Sequence, residues 1–119
     1  MKDTLSFEEI KKILVCFLET QSIDVVAPDN DWQSDFSSNW DEEFNIDFDE
    51  FIHNIKVFDD SVKKGNKIEQ IAALTRARTR LLNLSNFFEN IFEDVERIAW
   101  SDEFEWPDIP ENYKFPQKP

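Results

Sequence analysis

Apolar positions recur at helical spacing through most of the chain. Phe7, Ile10, Ile13, Leu14, Phe17 and Leu18 share one face of a helix. Ser6 and Glu9 open it in the S-x-x-E capping-box pattern, and Leu5 and Ile10 flank that cap as a hydrophobic staple. The spacing predicts a helix over 6–21; the following Ile23, Val25 and Val26 are too few to assign. Phe44, Phe48, Phe51, Ile52, Ile55, Phe58 and Val62 predict a second helix over 41–64. Asn39 and Glu42 suit its start. Lys63, Lys64 and Gly65 suit its end, where cations meet the helix dipole and glycine adopts the left-handed cap.

Asn66 and Glu69 repeat the capping pattern, and Ile68 to Trp100 contain neither Gly nor Pro. Leu74, Leu81, Phe88 and Val95 recur every seven residues, interleaved with Ile71, Arg78, Ser85, Phe92 and Ala99. This heptad-like seam predicts one helix over 67–100, about 50 Å long, with Asn83–Asn86 as the place where a break would fall. Leu84, Phe87, Ile91 and Ile98 add a second strip, which predicts cover from two sides in the C-terminal half. Arg78 falls within the seam. If buried there, its guanidinium needs a carboxylate or carbonyl partner.

Two segments break the periodicity. Pro28 opens a stretch to residue 46 rich in Asp, Asn and Ser, carrying Trp32, Phe36 and Trp40. From Ser101 the chain is acidic, aromatic and Pro-rich, which excludes an ordinary helix. Its first half is expected to pack on the helices, because bare Trp and Phe promote aggregation. The expected fold is all-α: a small helical bundle with one long C-terminal helix and an extended acidic tail over 101–119. All 119 residues form a single domain in this reading. Twelve Phe and four Trp supply a core, and the single Gly leaves the helices few interruptions.

Charge narrows the functional classes. Net charge is −13, and residues 31–60 carry ten acids against one base. Residues 61–85 reverse this, with six bases and one acid. The overall sign argues against direct nucleic-acid binding and against an anionic membrane surface. It favours a basic protein partner, since complementary fields steer association. Asp41–Glu50 holds six acids over roughly 15 Å of helix, where B-DNA carries about nine charges. Internal pairing with Arg76, Arg78 and Arg80 is the structural role open to the same acids.

Catalytic chemistry finds little support. His53 is the only histidine, among Asp49, Glu50 and Asp60 on a polar helix face, and reads as a solvated residue. Cys16 is the only cysteine, so no internal disulfide forms and a Cys/His zinc cluster is excluded. With one glycine there is no phosphate-binding loop. Asp31, Gln33, Asp35, Asn39 and Glu42 match positions 1, 3, 5, 9 and 12 of a calcium loop, but Phe36 stands where the turn needs glycine and Ser38 where an apolar residue belongs. No cofactor and no metal is expected. No apolar run approaches the roughly 20 residues of a membrane span, and no signal peptide is recognised, so cytoplasm is the expected compartment.

These readings point to a non-enzymatic acidic inhibitor: an immunity protein or antitoxin that blocks a basic toxin such as a nuclease. The expected partner-binding residues are Trp32, Asp35, Trp40, Asp41, Glu42, Glu43, Asp47, Asp49 and Glu50, with Asp102, Glu103, Glu105 and Trp106 in the tail. The alternatives are a nucleic-acid mimic directed at a defence nuclease, and an adaptor or subunit that docks through the seam or the tail.

Overall fold

The computed structural model describes residues 4–27 and 30–118. It contains three helices, α1 (Phe7–Thr20), α2 (Trp40–Lys64) and α3 (Lys67–Trp100), and no strand among the described residues. Pro28, where the irregular stretch was expected to open, lies outside the described residues. The helix ends form as their cap residues dictate. Ser6 and Glu9 make the reciprocal capping box of α1. Asn39 and Asn66 accept from the N–H groups of Glu42 and Glu69. Gly65 takes φ 68°, closing α2 and turning the chain into α3 as a tight antiparallel hairpin. α3 runs unbroken through Asn83–Asn86.

The hairpin is zipped along one stripe of each helix. On α2 the stripe runs through the buried or half-buried Trp40, Phe44, Asp47, Phe51, Asn54, Phe58 and Ser61. On α3 it runs through Gln70, Ala73, Ala77, Arg80, Leu84, Phe87, Ile91, Asp94 and Ile98. Both stripes alternate three- and four-residue steps, the pattern of two helices packed nearly parallel along their length. Arg80 fixes the register by pairing with Asp47 at 3.0 Å, and Asn83 donates to the same carboxylate. Near the turn, the Gln70 side chain donates to the carbonyl of Ser61.

This stripe is not the seam expected from the heptads. The inward positions lie one residue before it, so Leu74, Leu81, Phe88 and Val95 are each more than 40% exposed. Arg78 is exposed as well and makes no ion pair among the described residues. The expectation of a buried, partnered Arg78 is therefore corrected. One residue along a helix is a rotation of about 100°, enough to carry a whole seam from the interface to solvent.

The apolar core sits at the open end of the hairpin. Leu18, Val25, Trp32, Phe36, Trp40, Ile98 and Phe104 form it, with Phe7, Leu14, Phe17, Phe87 and Ile91 packed around them. α1 and α2 hold each other by exchanged caps. Asp41 accepts from the N–H groups of Phe7 and Glu8, the free donors at the start of α1. Glu8 in return accepts from the N–H of Trp40 at the start of α2. Beyond Trp100 the described residues form no helix; Phe104 is buried and Trp106 stacks on Phe17. Ile109, Tyr113 and Phe115 are exposed.

Candidate functional site

The hairpin has two unlike faces, one either side of its zipped stripe. The first carries Glu43, Glu50 and His53 from α2, with Arg76, Thr79, Asn83, Asn86 and Asn90 from α3. Its upper part meets the loop 33–35 and opens into a cleft of about 340 Å³. Asp35, Glu43 and Asp47 supply carboxylates to the cleft, and Gln33, Asn83, Asn86 and Asn90 supply amides. Trp40, Phe44, Leu84, Phe87 and Ile91 give it an apolar floor, and among the described residues no Lys or Arg lines it.

The loop wall is held by Asp94 on α3. Its carboxylate, 1% exposed, accepts from the N–H groups of Gln33 and Ser34 at 2.8 Å each. Ser34 lines the cleft, and its buried Oγ has no hydrogen-bond partner among the described residues. Asp35 is held below its usual carboxyl range, first by the Ser37 hydroxyl and then by backbone N–H groups. Glu43 accepts from the Ser38 hydroxyl, so the mouth of the cleft is tied to the same turn.

The expected partner-binding residues separate into several places. Asp35, Trp40, Glu43 and Asp47 come together at the cleft. Glu42, Asp49 and Glu50 are exposed on α2. Asp41 is committed to the start of α1, and Asp47 to Arg80. Trp32 is buried, with Arg97 stacked 4.1 Å over its ring. Arg97 also binds Glu103 through two nitrogens and Asp31 at 3.1 Å. Its pKa is raised by those partners, and Glu103 is lowered by Arg97 in return. Asp102 and Glu105 are exposed, while Trp106, half exposed, donates its indole N–H to the carbonyl of Ile98. The tail residues thus form a patch of their own against α1 and Arg97.

The oxygens of the calcium-like pattern are directed elsewhere. Asp31 pairs with Arg97, Asp35 accepts from Ser37, and Asn39 caps α2. No group of three or more His, Cys, Asp or Glu stands ready to hold a metal among the described residues. Cys16 and His53 are exposed. Among the same residues no helix is long and apolar enough to cross a membrane.

Sequence reasoning missed the amide wall. Asn83, Asn86 and Asn90 stand at i, i+3 and i+7, a spacing that puts three amides on one helix face and was readable as a stripe. It also missed Asp94, whose partners are backbone groups some sixty residues away.

A family model described as a family of unknown function (DUF6853) matches residues 18–108, well over half of the chain, and the chain belongs to that family. Its fold is shared with the crystal structure of a functionally unknown protein from Neisseria meningitidis MC58. The TM-score is 0.75 and the identity 26%, over 87% of this chain and 98% of that one. No curated protein matches the chain.

Proposed function

We propose that this member of the DUF6853 family is an acidic protein inhibitor, of the immunity-protein or antitoxin kind, that binds and blocks a basic protein such as a toxin nuclease. The observation that carries this reading is the cleft: carboxylates and amides over an aromatic floor, with no Lys or Arg in the lining among the described residues and Asp47 alone of its acids paired, with Arg80. A Lys or Arg side chain from a partner finds there charge to pair with, amide oxygens to donate to, and ring faces to stack on. Glu42, Asp49 and Glu50 extend the negative field along α2, where it steers a cationic surface towards the cleft.

The test is binding kinetics against a basic protein partner captured by the full chain. Charge steering makes the association rate fall as salt rises and the field shrinks to about 8 Å. Replacing Glu42, Glu43, Asp49 and Glu50 with their amides slows association about tenfold at low salt, while Asp41 and Asp47 stay in place to preserve the fold. Asn86→Ala, at the cleft wall, raises the dissociation rate instead. Association that ignores both salt and the four substitutions leaves the acidity as a solubility feature and removes the support for inhibition.

A further inference from the structure

The other face of the hairpin is apolar and uncovered. On α3 it carries Ile71, Leu74, Leu81, Phe88, Phe92 and Val95, between 42% and 62% exposed. On α2 it carries Phe48, Ile52, Ile55 and Val62, also exposed. Every one of these positions follows an inward position by one residue. In an antiparallel pair of right-handed helices that one-residue offset turns both stripes to the same side of the layer. The result is one apolar face about 36 Å long on α3 from Ile71 to Val95, interrupted by Arg78 and Ser85, opposite the face that bears the cleft.

We propose that this face is the interface of a homodimer, in which two hairpins pack layer on layer and antiparallel to complete a four-helix arrangement. The surface area calls for such an occupant. The chain exposes 9453 Å². A globular protein of 14.2 kDa exposes about 6,800 Å². The excess of roughly 2,700 Å², to which the exposed tail also contributes, is larger than the 800 Å² or so that each partner gives to a standard interface. The radius of gyration, 19.7 Å, likewise exceeds the roughly 13.5 Å of a compact chain this long. Near its turn the hairpin fully buries Asn54, Ser61, Ala73 and Ala77 and half-buries Phe51, Val57 and Phe58, which is little apolar surface to hold two helices by themselves. α1 reaches this face only at its edge, where Phe7 meets Phe88.

Charge selects the antiparallel order and a second copy of this chain as the occupant. Beside the apolar face α3 carries Arg78 near the turn and Glu89 and Glu96 towards its C-terminus. Antiparallel pairing of the whole stripe places Ser85 at the twofold axis and Ile71 opposite Ala99. Arg78 then lies against Phe92 of the second copy, flanked by Glu89 and Glu96. The cation left alone within one chain gains an aromatic face and two carboxylates from the other. Parallel pairing sets Arg78 against itself.

The molar mass of the full chain in solution tests this, by light scattering on a sizing column. A mass twice 14.2 kDa is expected at micromolar concentration. Leu81→Glu and Phe92→Glu each return it to the monomer with helical circular dichroism unchanged, because both side chains are already exposed. Arg78→Glu weakens the dimer at least tenfold, and adding Glu89→Lys and Glu96→Lys restores it. In a Cys16→Ser background, Ile71→Cys with Ala99→Cys cross-links two chains, whereas Ile71→Cys by itself does not. A chain that stays monomeric at about 100 µM overturns the proposal, whether its stripe remains bare or is covered only by a heterologous partner. A dimer indifferent to both glutamate substitutions does so too. Cross-linking through Ile71→Cys alone overturns the antiparallel order.

Discussion

Removing the Asp94 carboxylate tests how the cleft wall is built. Two opposing terms act on this group. Its charge is almost fully withdrawn from water, which costs several kcal/mol for an isolated ion. Against that stand two hydrogen bonds at 2.8 Å from backbone N–H groups. A bond to a charged group contributes about 1.5–3 kcal/mol net. In Asp94→Ala the Ser34 N–H is stranded in a buried place, while the part-buried Gln33 N–H, in an exposed residue, recovers water. One full desolvation penalty and one lost bond then predict a loss of about 3–5 kcal/mol. Asp94→Asn keeps a single acceptor oxygen and is expected to lose about half as much. Urea unfolding followed by tryptophan fluorescence measures both, since Trp32 and Trp40 flank the loop. Amide exchange at Gln33 and Ser34 localises the effect. An Asn variant as stable as the parent or more so would mean that desolvation outweighs the two bonds, and the carboxylate would not be what secures the loop.

Glu8 gives a pH-dependent contribution whose sign is fixed. Its carboxyl is held below the ordinary 4.5, first by Lys11 and then by the Trp40 N–H. The unfolded chain therefore binds the proton more readily, so the stabilisation is full above pH 4.5 and disappears as pH falls through the lowered folded value. The stability difference between the parent and Glu8→Gln should be flat from pH 6 to 8 and vanish in acid; a difference that grows in acid reverses the assignment. Arg97→Ala removes the stack on Trp32 and the fork on Glu103 together, with an expected loss of about 1–3 kcal/mol and a change in tryptophan emission. Arg97→Lys recovers only part of this, because an ammonium neither forks nor stacks as a guanidinium does; full recovery would reduce the site to simple charge.

Local signals were legible in the sequence; the side-chain surface they presented was not. Ser6, Asn39, Gly65 and Asn66 mark helix ends because a cap is a contact between near neighbours, and all four caps form. The seam of α3 was placed one residue too far along because the helix carries two heptad stripes. The outward one holds the larger apolar residues. The inward one holds Ala73, Ala77, Arg80 and Asp94, which resemble surface when α3 is read by itself. Their fitness for burial depends on α2, whose half-buried Phe51 and Phe58 supply the bulk that alanines lack and whose Asp47 answers Arg80. Complementarity of that kind is a property of the pair. The cleft was half legible for the same reason: the acids of α2 are conspicuous as charge, while their convergence with the amides of α3 follows only from the hairpin register.

Counting acids overstates the field that a partner meets. Asp41 and Glu8 hold the α1–α2 junction, Asp94 holds the loop, and Asp47, Asp31 and Glu103 answer Arg80 and Arg97. Asp59 and Asp60 are paired with Lys63 and Lys64 at the turn of the hairpin. Among the described residues the carboxylates of α2 left without an ion pair or hydrogen bond are Glu42, Asp49 and Glu50, with Glu43 held by a hydroxyl. Surface ion pairs such as those of the turn are individually weak, but they cancel charge locally. The uncompensated negative charge of α2 therefore gathers in its N-terminal half, beside the cleft, and the apolar face contributes Arg78 as its main isolated cation. A basic protein drawn by this field approaches the cleft face. A second copy of the chain, with its own acids near Glu89 and Glu96, is drawn to the other.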